Sequence, residues 1–98
     1  NGTGNIQAAI LVTDSIENSI KYLSKGVGHK KMSLLLHPIL EAYLVKGEIH
    51  SMLKGIWGSS LRTAWEKKYG IEIAIESNSS VEILEFHVFD SNGKELSN

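Results

Sequence analysis

The side chains that could do chemistry in this sequence are scattered. His29, His37, His50 and His87 include no pair four residues apart, no HExxH and no companion cysteine, so the spacing of a helical zinc site is missing. His37 stands out by position alone: it precedes Pro38 where a strand-like run hands over to a helix, a place where ligand sites form in α/β folds, although capping or packing is the commoner use. Asp14 and Glu17 fall three apart on a helical pattern, and Glu72, Glu76 and Glu85 alternate outward from strand-like runs. Solvated faces look like this, and no general acid–base pair or converging Mg2+ set is defined. No GxSxG elbow presents a serine.

Two nucleic-acid motifs match in form only. Gly55-Ile56-Trp57-Gly58 has the spacing of the GxxG loop of KH domains, but Ile56 and Trp57 continue an apolar stripe where that loop carries polar or basic residues. Phe86 and Phe89 lack the glycines and cations of an RRM stacking motif. What remains is Arg62, Lys67 and Lys68, set with Trp65 and Tyr69 near the end of a helix, a mixture of cations and rings suited to a small RNA-facing patch. The competing reading of the same residues is ordinary helix C-terminal cations beside buried aromatics. These three are the RNA-binding candidates, and no catalytic residue or metal ligand is assigned.

Composition narrows the setting of these residues. Ninety-eight residues suit one domain with one core, and 42% hydrophobic with 21% charged residues and a single proline is globular composition. With no cysteine there is neither a disulfide framework nor a thiolate metal site. A net charge of −1 excludes a global basic field for nucleic acid while leaving room for a local patch. The apolar runs are far shorter than the roughly 20 residues that span a bilayer. The opening Asn1-Gly2-Thr3-Gly4, without an initiator methionine, reads as the interior of a longer protein.

The periodicities then predict the elements. Residues 1–5 read as the end of a linker and residues 6–98 as a single α/β domain. Ala9, Val12, Ile16, Ile20, Leu23 and Val27 recur at steps of three and four, predicting a helix that stops near Gly26. Leu34, Leu35 and Leu36 are consecutive, as in a strand covered on both faces, and Pro38 starts a helix that Gly47 ends. Ile49, Leu53, Ile56, Trp57, Leu61, Ala64 and Trp65 mark a longer helical segment, weakened at Gly55 and Gly58 and stopped by Gly70. Ile71, Ile73 and Ile75 alternate with polar partners, and so do Leu84, Phe86 and Val88, predicting two strands. After the turn signal Asp90-Ser91-Asn92-Gly93, residues 94–96 add a short further strand. The expected order is α-β-α-α-β-β: a mixed three-stranded sheet with helices on both faces, the first two strands parallel through a right-handed crossover and the third antiparallel.

Several of these segments resemble one family when taken in order. Asn1-Gly2-Thr3-Gly4-Asn5-Ile6-Gln7 is similar to the stretch after the paired cysteines of RNase E/G-type endoribonucleases. Leu36-His37-Pro38, Glu41-Ala42-Tyr43-Leu44 and Lys46-Gly47 resemble that family's strand–helix segment. Trp65, Lys68-Tyr69-Gly70 and Glu85-Phe86-His87-Val88-Phe89-Asp90 with Gly93 match its closing pattern. The resemblance implies the C-terminal small domain of the catalytic region, with a thioredoxin-like α/β fold but no thioredoxin redox chemistry, since no CxxC is present. It also implies a cytoplasmic parent hydrolase in RNA processing that uses Mg2+ and a linking Zn2+, both bound by upstream residues, so that this chain carries no cofactor and cleaves no RNA itself. Its implied partners are the upstream catalytic domain, further subunits of a homo-oligomer, and RNA through the parent protein. The alternative from the residues alone is an autonomous RNA-binding or protein-interaction module.

Overall fold

Apolar residues spaced by about one helical turn need a common partner, and the first helix supplies its stripe to a sheet. The computed structural model describes residues 2–45 and 60–96, with the side chains of residues 2–6, 8 and 9 outside that description. Helix α1 (Gly2–Lys21) buries Val12, Ile16 and Ile20, and Leu23 just beyond it continues the stripe. The helical trace takes in residues 2–5, ahead of Ile6 where order was expected to begin. Its far end also differs from expectation. Winding continues through a π turn (Tyr22–Val27) and stops at Gly28, whose φ of 104° gives the left-handed cap; the N–H groups of Gly28 and His29 both reach the Leu23 carbonyl, at 3.1 and 2.9 Å. The wider winding takes Val27 out of the stripe, leaving it 53% exposed.

Strand β1 (Lys31–Leu36) buries Met32, Leu34 and Leu36 while Ser33 and Leu35 are half-buried, so only one of its faces is fully covered. Helix α2 (Pro38–Leu44) starts on an N-cap in which His37 Nδ1 accepts the Ile39 N–H at 3.1 Å, with Pro38 where a missing donor matters least. Helix α3 (Leu61–Tyr69) starts on Ser60, whose hydroxyl accepts the Thr63 N–H at 3.1 Å, and ends at Gly70 with φ 64°. The expected stop at Gly47 and the helical pattern through Ile49, Leu53, Ile56 and Trp57, with Gly55, Gly58 and His50, lie outside the described residues.

The sheet order is β2-β1-β3-β4. β2 (Glu72–Ser77) runs parallel to β1, pairing Met32 with Ile73 and Leu34 with Ile75. β3 (Phe86–Phe89) lies antiparallel on the other side, pairing Leu34 with Val88. β4 (Glu95–Leu96) closes a hairpin with β3 around Asp90, whose Oδ1 accepts the N–H groups of Asn92 and Lys94 at 2.9 Å each; these bonds hold its carboxyl below the usual range. The short strand expected within residues 94–96 thus joins the sheet as a fourth strand, where the expected sheet had three. Leu84, expected in a strand, is 59% exposed in a turn, because Glu85 N–H bonds to the Glu82 carbonyl and Glu82 N–H to the Glu85 carboxylate.

One cluster joins Ile16 and Ile20 of α1, Leu40 and Leu44 of α2, Trp65 and Tyr69 of α3, and the Met32, Leu34, Ile73 and Val88 face of the sheet. Helices on both faces were expected. Among the described residues all three helices send their buried side chains to this one face, so these residues form two layers.

Candidate functional site

The three RNA-binding candidates of α3 diverge. Arg62 turns to the outer edge of β2, where its guanidinium donates to the Ile73 carbonyl at 3.1 Å and lies 3.4 Å from Glu66; Glu66 in turn accepts the Ile73 N–H at 2.8 Å. Together Arg62 and Glu66 occupy both outward backbone groups of Ile73, doing what a neighbouring strand would do. Lys68 turns to α1 and bonds Glu17 at 3.0 Å, and Tyr69 donates its hydroxyl to the same carboxylate at 2.6 Å. Hydrogen bonds from Tyr69 and Lys68 hold the Glu17 carboxyl below the usual range, while the bond to Glu17 holds the Lys68 ammonium above its own. The Tyr69 phenol is raised by burial and by donating to Glu17. Lys67 is exposed. Helical spacing sets the directions: Arg62 and Glu66 share a side, and Lys68 lies well around from them.

The second sheet face is a groove of about 770 Å3, floored by Ser33, Leu35, Ala74 and Phe89 and bounded by Arg62 and Glu66 on one side and the turn at residues 90–93 on the other. Glu66, Glu72, Glu76 and Asp90 outnumber Lys31 and Arg62 along it. That balance repels phosphate.

Beside it His87 lies between two carboxylates, its Nδ1 2.7 Å from Glu95 and its Nε2 bonded to Glu85. An imidazole that meets a carboxylate at both nitrogens donates from both, so the charged ring is the bonded form. Glu95 and then Glu85 hold the imidazole pKa above its usual value, and His87 holds the Glu85 carboxyl below its own. The His87 contribution to stability is whole below about pH 6.5, the unfolded value, and is lost as pH rises through the higher folded one. The Glu85 contribution is whole above about pH 4.3 and is lost as pH falls through the lower folded value. The clamp on the hairpin is therefore strongest between about pH 4.3 and 6.5. The urea midpoint is expected to fall above that window, and to fall less in His87→Asn; superimposable pH profiles for the two proteins would refute the clamp.

No set of three or more His, Asp or Glu side chains among the described residues is arranged to hold a metal ion, and the chain has no cysteine for a zinc link. No described helix is long and apolar enough to cross a membrane. Sequence reading missed Glu17, Glu66 and the His87 cluster as organising groups. Glu17 meets partners 51 and 52 positions away, beyond any local spacing rule, whereas the four-residue step from Arg62 to Glu66 was a usable signal. No known family model matches this sequence, and comparison with curated proteins and with solved structures returns no similar protein.

Proposed function

We propose that this chain is the non-catalytic small domain of an RNase E/G-like, Mg2+-dependent endoribonuclease of the cytoplasm, supporting subunit assembly and the catalytic region in RNA processing. The observation that carries the reading is how the motif residues are used. His37 and Pro38 start α2, Glu41 accepts the Ser77 hydroxyl at 3.1 Å and ties α2 to β2, Trp65 and Tyr69 are buried, Gly70 stops α3, and Asp90 with Gly93 forms the hairpin turn. Residues that build a shape suit a domain that works by its shape. A parallel β1–β2 pair followed by an antiparallel hairpin on the far side of β1 also accords with the thioredoxin-like sheet that the resemblance implies.

Assembly draws support from α1, where Ile10 and Leu11 are 50% and 69% exposed beside the buried Val12, an apolar surface suited to the upstream domain or a second subunit. An autonomous RNA-binding module working through Arg62, Lys67 and Lys68 is less well served, because Glu66 and Glu17 sit against two of the three. Purified chain incubated with single-stranded RNA and Mg2+ is expected to leave the RNA intact. Cleavage by a preparation free of contaminating nuclease would end the non-catalytic reading.

A further inference from the structure

The positive charge of this protein is concentrated where sequence motifs did not point. Residues 21–31 hold Lys21, Lys25, Lys30 and Lys31, four of the chain's ten basic residues, together with His29 and no acidic residue. On α3, Arg62 is matched by Glu66 and Lys68 by Glu17. Lys31 lies 3.7 Å from Glu72 with both side chains well exposed, and Lys21, Lys25 and Lys30 have no ion-pair partner among the described residues. Lys21 and Lys25 are one turn apart, a like-charge spacing whose repulsion offsets part of what cations gain near a helix C-terminus.

Between them lies an aromatic ring with a backed face. Tyr22 is 50% exposed, and a Cβ added at Gly26 would come within 3.2 Å of its Cδ1, so the ring rests against the backbone on one side. Glycine in helical winding is unfavourable, and here it is what lets the ring lie down. Both residues belong to the π turn, a winding found often at functional sites. Beside the ring is a depression of about 400 Å3 lined by Asn18, Lys21, Tyr22, Lys25 and Gly26, which offers an amide for a base edge and two ammonium groups for phosphates.

We infer that this cationic turn is a contact surface for single-stranded RNA, with one base stacked on Tyr22 and the flanking phosphates held by Lys21 and Lys25. The choice of RNA as the polyanion rests on the ribonuclease-like reading; the surface itself rests on charge and ring geometry. A membrane fits less well, since Tyr22 and Val27 are the large exposed apolar side chains here and Asn18 and the lysines interrupt them, where an interfacial helix presents a continuous apolar face.

Fluorescence anisotropy with a labelled short oligouridylate, over a series of salt concentrations, tests the surface on the intact chain. Log affinity is expected to fall linearly with log salt, with a slope of about −2 for some three phosphates on a single strand. Tyr22→Ala should weaken binding about tenfold and leave the slope unchanged, while Tyr22→Phe keeps the wild-type affinity. Lys21→Glu with Lys25→Glu should weaken binding at least about tenfold and flatten the slope by more than about 1. Lys67→Glu should change neither, and circular dichroism will show that these exposed substitutions leave the fold intact. Unchanged binding in the lysine pair variant, an equal loss in Lys67→Glu, or Tyr22→Ala binding as tightly as wild type would each overturn the inference. An absence of any RNA binding would also overturn it, and the cleavage test above would still stand by itself.

Discussion

Trp65→Ala is expected to lower the free energy of unfolding by about 3–5 kcal/mol, a large share of the about 5–15 kcal/mol that holds a domain of this size together. Trp65 is 3% exposed and packs in the cluster shared by all three helices and the sheet. Truncation leaves a ring-sized cavity in the helix that Lys68 and Tyr69 tie to α1 through the Glu17 carboxylate. At nine residues α3 is too short to persist alone in water, so it depends on this docking. The same helix carries Arg62 and Glu66 to the edge of β2, and loosening it withdraws them as well. Urea unfolding followed by far-ultraviolet circular dichroism measures the loss. Trp65→Phe, which keeps a ring and gives up the N–H, should fall between the two. A midpoint for Trp65→Ala equivalent to within about 0.5 kcal/mol of wild type would mean that Trp65 does not anchor the helix.

How much of this was legible depended on whether the signal was local. The alternation of Ile71, Ile73 and Ile75 exposes a period of two, and the strand at Glu72–Ser77 follows from it. Pro38 marked a helix start for a covalent reason, its missing N–H, and the helix starts there. Leu34, Leu35 and Leu36 misled, because three consecutive leucines cannot report that the middle one faces a half-open groove. Gly26 looked like a helix stop, but the stop needs a left-handed residue, and Gly28 supplies it two positions later. The candidate surface on α3 was read from residue types alone, and the acidic partners of Arg62 and Lys68 come from its own next turn and from α1. The lysines of residues 21–31 were visible one by one as a helix end. Their joint exposure around a backed tyrosine arises only from the folded turn, which no residue spacing announces.

The second large effect is expected at the edge of β2. Among the described residues the order β2-β1-β3-β4 leaves one side of β2 without a strand, and an unpaired edge invites pairing with another chain. Glu66 accepts the Ile73 N–H at 2.8 Å and Arg62 donates to the Ile73 carbonyl at 3.1 Å, so one helical turn of α3 closes that edge near its start. Glu66→Ala strips the acceptor from a part-buried amide and removes the carboxylate that steadies Arg62. Leaving a buried donor unmet costs about 1–3 kcal/mol, and the ion pair adds little beyond this because both side chains keep about a quarter of their surface in water. Glu66→Gln keeps an oxygen for the Ile73 N–H and should recover most of the loss. Amide hydrogen exchange by NMR separates this account from general loosening. In Glu66→Ala the Ile73 amide should lose protection well ahead of Met32 and Leu34 in the neighbouring strand, whereas Glu66→Gln should keep it. Protection of Ile73 equal to wild type in Glu66→Ala would show that the edge is held by other groups. Selective loss would identify Arg62 and Glu66 as a two-residue substitute for a fifth strand.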